Sequence, residues 1–173
     1  TLDVWDDKLV ALGSEIITAR QRLAADLQQP VADAYEAIAG ADHRPRLEWA
    51  LSVVGGDPEE GEDGAEGLEG GSYSDRLSDP TRIAEMFRAS LAAKRAKEVD
   101  RGLTLTGPHR DDLVLRVRDL PVKGYASHGE SWSVALALRL ASAELLRSES
   151  PAGDPVLILD DVFAELDADR RQR

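Results

Sequence analysis

Residues 2–28 place Trp5, Leu9, Leu12, Ile16, Leu23 and Leu27 at steps of three, four and seven. That spacing predicts one apolar face of a long helix. Pro30 lacks an amide hydrogen and its ring crowds the preceding turn, so a break is expected there. Val31, Tyr35 and Ile38 then mark a second helix that stops at Gly40. The span 46–54, RLEWALSVV, alternates as a strand does. Farther on, Asp79-Pro80 reads as a helix N-cap followed by a first-turn proline. The helix after it turns Ile83, Met86, Phe87 and Leu91 inward and stops at Gly102.

From Leu103 the texture changes. LTLTGPHRDDLVLRVRDLPVKGYAS reads as short strands joined by Gly/Pro turns, with Leu113, Leu115 and Val117 alternating. Over 131–147, Ala and Leu lie nearly all round a helix, which is therefore expected to be mostly buried. The stretch DPVLILDD then runs four apolar residues, 156–159, straight into Asp160 and Asp161. An all-apolar run of this length fits a strand covered on both faces, as in a parallel sheet. Its two carboxylates would stand at the strand's carboxyl end, where open α/β sheets hold ligands. The expected fold is α/β. Residues 1–101 read as a mainly helical second domain or arm, and 102–173 as part of a nucleotide-binding lobe.

Composition narrows the setting. The chain has 173 residues, 42% hydrophobic and 31% charged, which are the proportions of a soluble globular protein. It has no cysteine, which excludes disulfides and zinc-thiolate sites and suits a reducing, cytoplasmic setting. No apolar run approaches a membrane span, and the acidic start TLDVWDDKLV lacks the basic head of a signal peptide. A segment of a longer protein is the expectation. The net charge of −12 at first opposes nucleic acid as a partner. Much of it, however, sits in 55–71, where seven acids occur without a base. Such a stretch is expected to be a solvated, disordered loop. Lys94, Arg95, Lys97 and Arg101 close the helix before Gly102. They suit the negative end of a helix dipole, or they contact DNA phosphates.

Two motifs carry chemistry. An apolar strand ending in two acids has the form of a Walker B strand, whose usual companion is a phosphate loop GxxxxGK[ST]. That loop does not occur in these residues. The second motif is ASHGESWS, 126–133. Ser127 with Glu130 three residues later makes a capping box, a purely structural device. A serine hydroxyl, a glycine and free amides at a helix start also bind phosphate. A ligand oxygen can take the amides that the cap leaves free, so both readings stand on the same residues.

Ala126 to Glu130, one helix, one strand and then Asp160 reproduce an order found in ATP-binding-cassette ATPases. The chain resembles that superfamily: ASHGE stands where its LSGGQ signature stands, VLILDD at Walker B, and Ala164-Glu165-Leu166-Asp167 at the D-loop pattern SALD. His128 and Glu130 depart from the common form. TGPHRDDL, SHGESWSVALALRLASAELL and DDVFAELD together resemble the RecF family of bacterial recombination mediators within the SMC-like branch, as does the opening VWDDKLVALGSEIITAR. The resemblance implies an ATP-dependent DNA-binding protein that forms a homodimer around two ATP molecules. It implies action with RecO and RecR to load RecA at single-strand gaps beside duplex DNA, in replication, recombination and the SOS response. Residue by residue, it assigns Asp160 to Mg²⁺ and gives Asp161 the attacking water. Ser127, His128, Gly129 and Glu130 would meet the nucleotide of the partner subunit. Glu165, Leu166 and Asp167 would lie at the dimer seam. His109 and Arg110 either close a turn against Asp111 and Asp112 or approach nucleotide or DNA.

Two other readings stay open: a RecN-like SMC ATPase, and a non-catalytic interaction module. A prenyl-synthase-type DDxxD site fails because Ala164 occupies the third acidic position. With the phosphate loop outside these residues, 1–173 alone is expected to bind ATP weakly or not at all. Calorimetric titration of the isolated segment tests this, and micromolar affinity would contradict it.

Overall fold

The computed structural model describes residues 2–54, 79–151, 153–158 and 160. Its elements are α1 (Leu2–Ala39), β1 (Arg46–Ala50), a 3₁₀ turn (Ser52–Val54), α2 (Pro80–Arg101), β2 (Asp112–Val117), β3 (Leu120–Pro121), a helical turn (Val122–Tyr125) and α3 (His128–Glu149). The strands form a sheet in the order β1-β2-β3. β2 and β3 are antiparallel, with Arg116 opposite Pro121 and Val117 opposite Leu120. The chain divides into two compact units, one within 1–22 and 49–113, the other within 23–48 and 114–173. Each unit takes chain from both sides of position 101, where the sequence texture changes.

In the first unit, Val10, Ile17, Leu51, Val53, Ile83, Phe87 and Leu91 form the core. α2 starts as expected: Asp79 accepts a hydrogen bond from Thr81 N at 3.0 Å, and Pro80 occupies the first turn. It ends at Gly102, whose φ of 65° is a left-handed cap that glycine adopts without strain. The inward face of α1 is rotated from the expected one. Val10, Gly13, Ser14, Ile17 and Thr18 are buried, whereas Trp5 is 71% exposed and Leu12 and Ile16 are also exposed. Phe87 explains the rotation. Its ring lies so close to α1 that only small residues fit beneath it, and a Cβ on Gly13 would stand 2.5 Å from Phe87 Cε1. The exposed Trp5, Leu12 and Ile16, with half-buried Leu9, line an open groove of about 520 Å³ with Pro108 and His109.

β1 is shorter than the alternation suggested, ending at Ala50. The chain then turns into the 3₁₀ segment because Asp111 claims the amide and hydroxyl of Ser52, each at 2.8 Å. Trp49 packs beneath Arg20, whose guanidinium carbon is 5.1 Å from the ring centroid, and its indole N–H donates to Arg20 O at 2.9 Å.

The second unit is built on Leu27, Val31, Tyr35, Ile38, Val117, Val134, Leu136, Ala137 and Ala141. Pro30 does not break the helix; α1 runs through it. An interior proline costs about 3 kcal/mol or more. Each large apolar side chain buried nearby contributes about 1.5–3 kcal/mol, and Leu27, Val31, Tyr35 and Ile38 together exceed that cost. α3 is not buried all round. Ser133, Val134, Leu136, Ala137 and Ala141 face the core, while Ala135, Arg139 and Leu146 are exposed. Its many alanines reflect helix propensity as much as burial.

The stretch expected as a doubly covered strand also differs. Residues 156–158 carry no regular structure, and Val156 and Ile158 are 88% and 87% exposed. A strand holds its form through hydrogen bonds to neighbouring strands. Among the described residues the sheet contains only β1, β2 and β3.

In an exposed helix interior, Gly→Ala stabilises by about 1 kcal/mol. Gly13→Ala is expected to destabilise by about 1–3 kcal/mol, because the methyl overpacks against the Phe87 ring. Urea unfolding measures this; a neutral or stabilised variant would show that the ring moves aside freely.

Candidate functional site

The start of α3 has the geometry that the capping box requires. Ser127 is the N-cap in extended conformation, and its hydroxyl oxygen accepts from Glu130 N at 3.3 Å. Glu130 reaches back with Oε2 to accept from Ser127 N at 2.9 Å and from Ser127 Oγ at 2.8 Å. Ser131 N donates to Ser127 O at 2.9 Å, and Ser131 Oγ donates to the same oxygen at 3.0 Å. Ser127 and His128 are exposed, with Gly129 half-buried between them and Glu130. The other Glu130 oxygen, Oε1, takes the guanidinium of Arg118. The sequence reading missed Arg118. The only local signal was the pair Arg118-Asp119 between two short apolar runs, without the Asn-Gly that usually marks a tight hairpin.

His109 and Arg110 belong to the first unit. His109 Nε2 lies 3.1 Å from Thr104 O, which also accepts from Arg110 Nε at 3.2 Å. The turn itself is fixed by Arg110 N donating to Gly107 O at 2.8 Å. Gly107 has φ of 135°, and a Cβ there would stand 3.0 Å from Phe87 Cζ, so this position requires glycine. Gly107 N in turn donates to Ser52 Oγ at 2.9 Å. Both basic residues thus hold the backbone of the TGPHRDD turn.

The basic cluster of α2 is also occupied within the first unit. Lys94 Nζ donates to Ser52 O at 3.2 Å. Arg95 pairs with Asp6 and, at 3.9 Å, with Glu98. Lys97 is exposed on the same helix.

Asp160 is exposed, and among the described residues no hydrogen bond or ion pair joins it to the start of α3. Asp161, Glu165, Leu166 and Asp167 lie outside the described residues. No group of three His, Cys, Asp or Glu among the described residues is placed to hold a metal ion. Asp160 is the one described member of the acidic pair 160–161. No helix among the described residues is long and apolar enough to cross a membrane.

Burial perturbs Asp111. Its side chain is fully removed from solvent, and among the described residues Oδ2 has no hydrogen-bond partner, with Arg20 Nη1 at 4.0 Å. Burial pushes the carboxyl above its ordinary value of 3.8; the Ser52 amide and hydroxyl, then Arg20 and His109, oppose the shift without cancelling it. A raised folded-state pKa means that folding favours the proton. Its contribution is therefore full below about pH 4 and is lost as pH rises through the folded value. Asp111→Asn keeps an acceptor for Ser52 and cannot ionise. Wild-type stability relative to Asp111→Asn is expected to fall between pH 4 and 7. Asp111→Ala, which orphans the Ser52 donors, is expected to lose about 1–3 kcal/mol at either pH. Urea unfolding at both pH values checks this, and a wild-type advantage that grows with pH would refute it.

No family model matches the chain. Over 173 residues it is 55% identical to the DNA replication and repair protein RecF of Clavibacter sepedonicus, covering 100% of this chain and 42% of that protein. The RecF of Clavibacter michiganensis subsp. michiganensis is 56% identical over the same length and share. That of Leifsonia xyli subsp. xyli is 55% identical over 172 residues, covering 99% of this chain and 43% of its own. Among solved structures, the recombination mediator protein RecF, as RecF-ATPrS in the RecFOR pathway, superposes with a TM-score of 0.76 at 25% identity. It covers 98% of this chain and 40% of that one. The chain spans about two fifths of the length of the curated relatives it matches. The fold is accordingly that of part of an ABC ATPase-type protein, mixed helix with a small sheet. Sequence along its whole length and fold point to the same proteins: the chain belongs to the RecF family.

Proposed function

We propose that the protein containing this chain is an ATP-dependent DNA-binding protein of replication and recombinational repair. In this reading it dimerises around two ATP molecules, and the start of α3 caps the γ-phosphate held by the partner subunit. The observation that carries the reading is the exposed, capped helix start Ser127–Glu130, in a chain that matches RecF along its whole length. Helix N-termini favour anions through their dipole and free amides. Ser127 and Gly129 are the residues that would meet the phosphate, with His128 and Glu130 beside them.

Asp160 with Mg²⁺, Asp161 with the attacking water, and Glu165, Leu166 and Asp167 at the dimer seam are assigned on the motif alone. Division into an arm, 1–101, and an ATPase part, 102–173, is proposed on the same footing. RecO and RecR as partners, RecA loading, single-strand/double-strand junctions as the DNA target, and a cytoplasmic location belong to the same proposal. Slow ATP hydrolysis fits Asp161, whose side chain is shorter than the Glu usual at that place. Lys94, Arg95, His109 and Arg110 already hold the first unit together, so the α3 start carries more of the functional weight than they do.

The test uses the full-length protein, its mass followed by light scattering with gapped DNA, with and without ATP–Mg²⁺. Wild type is expected to dimerise and bind DNA only with ATP, and Ser127→Arg, which places a bulky side chain at the cap, to do neither. Wild-type monomers that ignore ATP would overturn the reading in favour of a non-catalytic interaction module.

A further inference from the structure

The β2–β3 hairpin and the α3 start share one carboxylate. Register pairs Val117 with Leu120, so Arg118 and Asp119 alone form the turn. Both have positive φ, 53° and 66°. That left-handed conformation suits Asn and Gly and is reluctantly adopted by other L residues. Backbone strain of this kind persists where the surroundings hold it, and here they do. Arg118 N donates to His43 O at 2.7 Å. The Asp119 carboxylate takes Arg44 at 3.3 Å and Arg46 at 3.4 Å, and its carbonyl accepts from Arg116 Nη1 at 3.1 Å. The outcome is that the Arg118 guanidinium is delivered to Glu130 Oε1, with His43 Nδ1 at 3.4 Å from the same nitrogen.

Glu130 is divided between two demands. One oxygen holds Arg118; the other accepts both the amide and the hydroxyl hydrogen of Ser127. Its side chain is only 14% exposed, while that of Arg118 is 55% exposed. A phosphate approaching Ser127 would meet the negative charge of Glu130 a few ångströms away. The Ser127 hydroxyl also cannot donate to that phosphate while its hydrogen is given to Glu130. Arg118 eases the first of these. Paired with Oε1, it neutralises the carboxylate, and a guanidinium with five N–H groups has donors to spare.

Resting on the trans-capping reading above, we infer that Arg118 is a positioning residue for the nucleotide. It neutralises Glu130 beside the incoming phosphate so that the α3 amides left free by the cap can receive it. The role is specific to the charge of Glu130, which separates it from a merely structural contact. If residue 130 is neutral, Arg118 has nothing to neutralise.

The experiment is a double-mutant cycle in the full-length protein. It reads the ATP concentration for half-maximal dimerisation by light scattering, and monomer ATP binding at low protein concentration as a control. Arg118→Asn is used because Asn accepts the left-handed turn. It is expected to raise the dimerisation midpoint about 10-fold, the scale of one solvent-screened like charge at close range, with monomer ATP binding unchanged. Glu130→Gln is expected to shift the dimerisation midpoint far less, and the double variant to match Glu130→Gln alone. An unchanged midpoint in Arg118→Asn, or a double variant as impaired as Arg118→Asn, would overturn the role of Arg118. Ser127→Arg is run alongside. If it too assembles like wild type, the trans-capping reading fails and this inference with it; if it alone is monomeric, only the role of Arg118 fails.

Discussion

Three carboxylates taken out of water decide where the loops of this protein run. Removing a charge from solvent is costly unless hydrogen bonds and opposite charge replace the lost water. Each acid therefore draws a particular stretch of chain onto itself. Glu98, buried on α2, accepts from Leu105 N at 2.7 Å and has Arg95 at 3.9 Å, which brings the chain after Gly102 back along the helix. Asp111 takes the amide and hydroxyl of Ser52. Ser52 Oγ in turn accepts from Gly107 N at 2.9 Å. Glu130 ties the start of α3 to the β2–β3 turn.

These three acids are not equally served. Glu98 and Glu130 each have a guanidinium partner and a backbone amide. Asp111 has its donors on one oxygen, while the other faces Arg20 only at 4.0 Å. This imbalance is why burial wins at Asp111 and its carboxyl titrates upward. Such a group limits stability, yet it fixes a turn that backbone preferences alone would leave open. At Glu130 the satisfied carboxylate serves a different end. It is the one acid of the three that stands beside the proposed phosphate position, so the group that orders the helix start also opposes an anion. Arg118 reconciles the two.

Much of this was legible in the chain. Asp79-Pro80 and Gly102 bracket α2 because capping chemistry is local and needs no tertiary partner. Ser127 and Glu130 give the capping box for the same reason, and their distance from Asp160 along the chain pointed to the ATPase superfamily whose fold the chain shares. The alternation of Leu115 and Val117 placed β2, since period-two burial follows from strand geometry.

What the sequence could not settle was which of two competing apolar faces would be buried, and which local rule would be overruled. Trp5, Leu12 and Ile16 are more apolar than Gly13, Ser14 and Thr18, yet the smaller residues face inward, and the Phe87 ring lies so close to Gly13 that a Cβ there would stand 2.5 Å from it. Pro30 breaks helices in isolation and is carried here by the buried residues on either side of it. Arg118 shows no motif at all. Its meaning arises only when β2 and β3 pair and the turn brings a guanidinium to Glu130, ten and more residues away along the chain. Local signals fix caps and periods because they depend on neighbouring backbone groups. Face, tolerance and partner are decided by packing and charge between segments distant in sequence, which only the folded chain brings together.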